Sequence, residues 1–342
     1  MKRQPIEIFF AADDNFAQHL CVAIVSLLYN ADEQDVLNLY IMNKQLSQMS
    51  QGNILALKKI KECNIEFIRV DNKLWDNFKS PEYINSSSTF YRYLVPEIKP
   101  ELNKVLYLDA DIVVKKSLCE LFDTSMDDYY IAGVEDVHEF VANTQLKPRF
   151  QCGETYLNAG VLLLNCKKMR ENNFSKKCFD LTPQLNTCTY WGADQDVFNI
   201  LCSGNKKIID LKYNVLSAVF DPRKNTQYSD SQIANAIENP VIIHFTDRVK
   251  PWDVKNFPYN QFAFEYHRYL ALTPYAKSQS HFLIKSAFYN KSVSKALSRI
   301  KNNHFVKTIF SIIDFVLAAI SLVVGILSFS QYYKENKRKI QL

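Results

Sequence analysis

Asp109 and Asp111 interrupt the apolar run Val105–Val114, and their spacing is the first chemical signal in this 342-residue chain. The run is too short for a helix and rich in β-branched residues, so it reads as one buried strand. On extended backbone, residues i and i+2 point to the same side, which puts both carboxylates on one face. Like charges withdrawn from water repel, and a pair left without a partner is costly. A divalent cation removes that cost, and carboxylate oxygens favour Mg²⁺, Mn²⁺ or Ca²⁺ over Zn²⁺. The residues alone also admit a plainer reading, in which one Asp caps the next helix and the other pairs with a lysine.

Several further apolar runs end in polar side chains. Ile6–Phe10 alternates and then meets Ala11-Ala12-Asp13-Asp14-Asn15. Residues 17 to 30 have helical spacing, Leu37 to Met42 reads as a second strand, 45 to 61 as a helix and Ile65 to Val70 as a third strand. Strands alternating with helices at these intervals imply a parallel sheet, whose ligands sit at the carboxyl ends of the strands. Asp13 and Asn15 are thereby placed beside the ends of later strands.

Ser86-Ser87-Ser88-Thr89 looks like a helix start for Phe90–Leu94, with Arg92 in reach of the same cleft. The commoner fate of such an arginine is a solvent-facing helix position. Tyr129–Val134 is a further strand ending at Glu135-Asp136, and Tyr156–Asn165 a polar lead into a buried strand. Trp191–Asn199 opens a helix with Asp194 as a candidate cap. Val241–Phe245 is a short buried strand containing His244, by itself more simply a core histidine. Residues 138–155 read as a loop, a candidate lid, and 217–235 as a similarly polar stretch.

Neither Gly-x-Gly-x-x-Gly nor Gly-x-x-x-x-Gly-Lys occurs, and the chain has only seven glycines, which disfavours dinucleotide and P-loop phosphate cradles. A diphosphate bound here would therefore need a metal for charge compensation. The hydrophobic and charged fractions, 47% and 23%, are those of a globular body. Charge is uneven: residues 285–342 hold ten Lys or Arg against Asp314 and Glu335, leaving 31 basic and 34 acidic residues in 1–284. A mildly acidic body argues against nucleic acid as a partner, and the basic tail argues for an anionic membrane surface. The eight cysteines form no Cys-x-x-Cys, and a chain this large does not need staples, so reduced thiols are expected. The first residues lead straight into a strand-like run with no signal-peptide pattern, which keeps the body in the cytosol.

In order and spacing, these motifs resemble glycosyltransferase family 8, and within it the bacterial lipopolysaccharide glucosyl- and galactosyltransferases. The resemblance runs from about Ile6 to Trp252. It rests on Phe10-Ala11-Ala12-Asp13-Asp14-Asn15, Tyr91-Arg92, Leu106–Asp111, Leu157-Asn158-Ala159-Gly160-Val161, Asp194-Gln195-Asp196 and His244-Phe245-Thr246-Asp247-Arg248-Val249-Lys250-Pro251-Trp252. It implies an α/β GT-A-type fold, Rossmann-like with a mostly parallel sheet, and a retaining transfer of galactose or glucose from a UDP-sugar to a glycan or glycolipid acceptor. By position, Asp109, Asp111 and His244 would ligate the metal, Mn²⁺ in preference to Mg²⁺. Ala11, Asp13 and Asn15 would line the uridine pocket, with Asp109 also near the ribose. Arg92, Asp136, Asn158, Ala159, Asp194 and Gln195 would hold the donor hexose, and Lys250 the diphosphate. Asp247 departs from the family, where Gly is frequent. Gln195 stands at the β-face position and is a poor nucleophile, which favours same-face substitution with Gln195 and Asp194 orienting. A glycogenin-like self-glucosylating protein and a non-catalytic, membrane-bound UDP-sugar binding protein are the competing readings.

The expected organisation is a catalytic domain over 1–275, a basic helical connector over 276–305, and a hydrophobic helix with a basic tail over 306–342. The apolar run Ile309–Phe329 is long enough to cross a bilayer or to lie in its inner leaflet, holding the enzyme on the cytoplasmic face of the inner membrane.

Overall fold

Residues with strand spacing assemble into two sheets in the computed structural model, which describes residues 3–71, 73, 87–136, 155–185, 193–220, 228–246, 249–253 and 262–276. The larger sheet holds β1 (Ile6–Ala11), β2 (Leu37–Asn43), β3 (Asn64–Arg69), β4 (Lys104–Leu108), β6 (Ile131–Glu135), β7 (Leu157–Asn165) and β8 (Lys206–Ile208), in the order β3-β2-β1-β4-β7-β6-β8. The smaller holds β5 (Ile112–Val114), β9 (Val215–Leu216) and β10 (Ile242–His244), in the order β5-β10-β9. The helices are α1 (Ala17–Asn30), α2 (Gln48–Leu55), α3 (Val95–Ile98), α4 (Cys119–Phe122), α5 (Cys166–Glu171), α6 (Phe174–Leu185), α7 (Asp194–Leu201), α8 (Asp230–Glu238) and α9 (Ala263–Leu270).

Two sequence expectations are corrected here and one is borne out. The run Val105–Val114 is two strands in two different sheets, so the aspartates lie on the crossing between β4 and β5. The sheet is mostly parallel, as expected: it is parallel through β3, β2, β1 and β4, and β7 runs antiparallel to both of its neighbours, β4 and β6. The predicted 45–61 helix is α2, capped by Ser47 accepting from the Ser50 N–H, followed by a 3₁₀ turn over Ala56–Lys59. Part of the polar stretch 217–235 is also ordered: α8 begins with a reciprocal capping box between Ser229 and Gln232.

Antiparallel β7 has a functional consequence. Its first residues, Leu157 and Asn158, fall at the sheet edge where parallel β1 and β4 end. The edge is completed by β10, whose His244 pairs with Ile112, next to Asp111. Helix α1, with eleven buried residues, packs against β5 and supplies its missing backbone partners. The Ser26 hydroxyl accepts from the Val114 N–H at 2.8 Å, and Asn30 Nδ2 donates to the Val114 carbonyl at 2.9 Å.

Behind the edge, Tyr93, Phe174 and Phe198 form an aromatic core. Tyr93 and Phe198 stack at 5.9 Å, and Phe174 meets Phe198 edge-on at 5.2 Å. This packing holds α6 and α7 against the 3₁₀ stretch Ser87–Leu94 that carries Arg92. The six described cysteines are free.

The chain divides into two compact units, Met1–Asp247 and Arg248–Leu342. In the second, Trp252 lies 5.1 Å from Tyr266, and His267 Nε2 is 2.9 Å from the Pro251 carbonyl. Among the described residues no helix is long and apolar enough to cross a membrane. The expected 309–329 helix, the connector 276–305 beyond its first residue, and nearly all of the predicted 138–155 lid lie outside the described residues.

Candidate active site

The crossing from β4 to β5 brings Asp109 and Asp111 to the end of β10. One ligand atom from each of Asp109, Asp111 and His244 lies within 4.8 Å of the others. His244 Nε2 is 3.2 Å from Asp111 Oδ1 and 3.8 Å from Asp109 Oδ2. The backbone fixes both carboxylates. The Asp109 N–H donates to the Gly160 carbonyl at 2.8 Å, and the Asp111 carbonyl accepts from the Phe245 N–H at 3.0 Å. Gly160 is required for this approach. A Cβ there would sit 2.1 Å from His244 Cε1 and 2.7 Å from Asp109 Oδ2. Two carboxylates and one imidazole nitrogen converging in this way could hold a divalent cation.

Arg92 is buried beside this triad, contrary to the solvent-facing alternative. Its Nη2 meets Asp109 Oδ1 at 3.0 Å, its Nε lies 2.8 Å from Asp194 Oδ2, and its Nη1 donates to the Ala159 carbonyl. The guanidinium also lies 4.4 Å over the Tyr107 ring. Burial works against its charge, but Asp109 and Asp194 outweigh it and the pKa is raised. Asp194 is not a helix cap: it is the first residue of α7, and Ala193 occupies the cap position. The Asp194 carboxyl turns inward to Arg92 and accepts from the Thr89 hydroxyl at 2.5 Å. Burial raises its pKa, while Arg92 and Thr89 pull it back.

Helix α7 is bolted to the start of β7. The Asn199 side chain accepts from the Leu157 N–H at 2.8 Å and donates to the Leu157 carbonyl at 2.7 Å, as a strand neighbour would. Buried Asp196 accepts from the Tyr156 hydroxyl. Gln195, half-buried, thereby reaches the sheet edge. Its Oε1 accepts from the Ala159 N–H at 2.9 Å, and its Nε2 donates to Asp136 Oδ2 at 2.9 Å. Asn158 Nδ2 donates to the same Asp136 oxygen at 3.1 Å and to Gln195 Oε1 at 3.3 Å.

Nine of the residues singled out from sequence thus form one connected cluster: Asp109, Asp111, His244, Arg92, Asp194, Gln195, Asn158, Ala159 and Asp136. Ala11 ends β1 at the same edge, two residues beyond the Phe9–Tyr107 pair, as Asp109 is just past β4. Asp13 has a local role, its Oδ1 accepting from the Asn15 and Phe16 N–H groups at the start of α1. Asn15 is exposed. Lys250 belongs to the second unit, and Asp247 lies outside the described residues. Sequence reasoning missed Asn214, Thr89 as a partner of Asp194, and the steric need for Gly160. Asn214 precedes a short apolar run, a weaker form of the signal that marked the other residues.

The model of the family described as "Glycosyl transferase family 8" matches residues 7–256. A putative glycosyltransferase of Haemophilus influenzae is 28% identical over 74% of this chain and 74% of its own. The lipopolysaccharide 1,2-glucosyltransferase of Escherichia coli is 27% identical over 73% of this chain and 74% of its own. Among solved structures, the galactosyltransferase LgtC in complex with donor and acceptor sugar analogs superposes with a TM-score of 0.69. It shares 26% identity, over 79% of this chain and 96% of that one.

Proposed function

The chain belongs to glycosyl transferase family 8, and on that premise we propose that it moves a hexose, galactose or glucose, from a UDP-sugar to a glycan acceptor with retention at the anomeric carbon. The observation that carries this reading is the junction of the Asp109–Asp111–His244 triad with the Arg92, Asp194, Asn158 and Gln195 cluster at one sheet edge. Asp109, Asp111 and His244 would hold Mn²⁺, which when bound supplies positive charge against the departing diphosphate.

The other residues position and polarise. Arg92 sets a buried positive charge against the Asp109 and Asp194 carboxyls and holds them in place, in a site where fixed charges act more strongly than in water. Gln195 has its carbonyl held by the Ala159 N–H and its amide by Asp136, so it presents no nucleophile to the sugar. Asp194 is tied to Arg92 and Thr89 and is equally poorly placed to form a covalent bond. This arrangement favours same-face substitution, in which the bond from the anomeric carbon to the phosphate oxygen breaks as the acceptor oxygen arrives. The freed phosphate oxygen takes the acceptor's proton.

The similarity to a lipopolysaccharide glucosyltransferase supports a lipid-linked glycan as acceptor. The apolar run 309–329 with its basic flanks supports attachment to the cytoplasmic face of an anionic membrane. Truncation after Ile300 should release the protein into the soluble fraction, and a full-length chain already soluble without detergent would overturn the attachment. The transfer itself is tested by a screen of UDP-hexoses for acceptor-dependent UDP release, with the product anomer read by proton NMR. We expect turnover with UDP-galactose or UDP-glucose and a product that keeps the donor's anomeric configuration. No turnover with any UDP-hexose, or an inverted product, would overturn the reading.

A further inference from the structure

Asn214 is fully buried between the metal triad and the amides at the start of β7, and nothing in the mechanism above uses it. Its Oδ1 lies 2.9 Å from His244 Nδ1, and its Nδ2 donates to Asn158 Oδ1 at 2.9 Å. An asparagine amide can be drawn either way round, and a histidine proton can sit on either nitrogen. Here the backbone decides both. The Gly160 N–H can only donate, so the Asn158 atom that it meets at 3.0 Å is the oxygen. Asn158 then turns its NH₂ toward Asp136 Oδ2 and Gln195 Oε1, which are both acceptors. With the Asn158 oxygen facing Asn214, Asn214 must offer its NH₂ there, and its own oxygen must face His244. His244 Nδ1 therefore carries a proton, and Nε2 is the nitrogen that faces Asp109 and Asp111.

We propose that Asn214 is a positioning residue that fixes His244 as the Nδ1–H tautomer, so that Nε2 is free to ligate the divalent cation. The same residue links that ligand to the amides of Asn158 and Gln195. The orientation that prepares the metal site is thus the one that presents Asn158 and Gln195 in a single arrangement. A residue that accepts the outer N–H of a ligating imidazole also makes the ligating nitrogen more basic and holds the ring in plane. The proposal rests on the metal role given to His244, but the Nδ1 proton can be read without metal.

In metal-free wild-type protein labelled with ¹⁵N-histidine, the His244 ring should show a protonated Nδ1. An unprotonated Nδ1 would overturn the proposal whether or not Mn²⁺ binds. Asn214→Ala should mix the tautomers and weaken Mn²⁺ binding, followed by electron paramagnetic resonance, by roughly 10- to 100-fold. Unchanged affinity in a folded Asn214→Ala protein would also overturn it. If that variant fails to fold, Asn214→Asp separates the two links. Its carboxylate still accepts from Nδ1 but faces the Asn158 oxygen with another acceptor. Asn214→Asp should therefore keep Mn²⁺ affinity and the Nδ1–H signature while raising KM for the donor, and a loss of Mn²⁺ affinity in it would count against the assignment.

Discussion

Replacing Arg92 by methionine would keep most of the side-chain volume and remove the charge on which two carboxylates depend. Arg92 is only 4% exposed and lies within 3.0 Å of oxygens from both Asp109 and Asp194. Asp109 retains access to water, but Asp194 is itself 4% exposed and would be left with the Thr89 hydroxyl. Breaking a buried ion pair from one side costs about 3–5 kcal/mol, because the remaining charge stays buried. For a domain of this size that is roughly 6–20 °C in Tm. The loss should depend on pH, with a defined sign. Burial already raises the Asp194 pKa, and Arg92 is the strongest influence opposing it. Without Arg92 the pKa rises further, so the folded variant takes up a proton where the unfolded chain is ionised. Its stability then falls as pH rises through that value, and the deficit relative to wild type should be smaller at pH 5 than at pH 8. Urea unfolding at both pH values measures this, and Arg92→Met with Asp194→Asn should recover part of the loss. A deficit below about 1 kcal/mol, or one equal at both pH values, would refute a buried pair maintained by Arg92.

Two further outcomes follow from single contacts. Gly160→Ala puts a methyl group against His244 Cε1 and Asp109 Oδ2, so it should cost about 1–3 kcal/mol of stability by overpacking. It should also weaken Mn²⁺ binding, and normal binding by calorimetry would show that the two ligands need not approach so closely. In the second unit, burial lowers the His267 pKa to about 4 despite its bond to the Pro251 carbonyl. The unfolded histidine, near 6.5, binds a proton first, so this stabilisation is complete above about pH 6.5 and is lost as pH falls toward 4. His267→Gln should flatten the stability profile across that interval by up to about 3 kcal/mol, and an unchanged slope would assign the acid sensitivity elsewhere.

Part of the site was legible because paired carboxylates within an apolar run have few inexpensive explanations. Asp109 and Asp111 were singled out that way, whereas His244, by itself a core histidine, came with Arg92, Asn158, Asp194 and Gln195 from the order of motifs. The break between β4 and β5 was not legible, since no glycine or proline marks it and the apolar pattern continues through Ile112. The direction of β7 was hidden for a related reason. Leu157–Asn165 is apolar on both faces and reads alike in either direction, although only the antiparallel course brings Asn158 to the edge. Asn214 escaped because an asparagine in a short connection is ordinarily a turn residue. Its role depends on Asn158 and His244, 56 and 30 residues away.

The central claim is that Asp109 and Asp111 act by holding a divalent cation against the donor's diphosphate. Its most direct test is UDP release from the best UDP-hexose donor, measured with Mn²⁺ and after chelation, for wild type and Asp111→Asn. The account predicts release that depends on metal in the wild type, falls by at least about 100-fold in Asp111→Asn, and leaves the variant's thermal stability unchanged or slightly raised. Wild-type turnover that persists in chelator, or an Asp111→Asn enzyme as fast as the wild type, would contradict it.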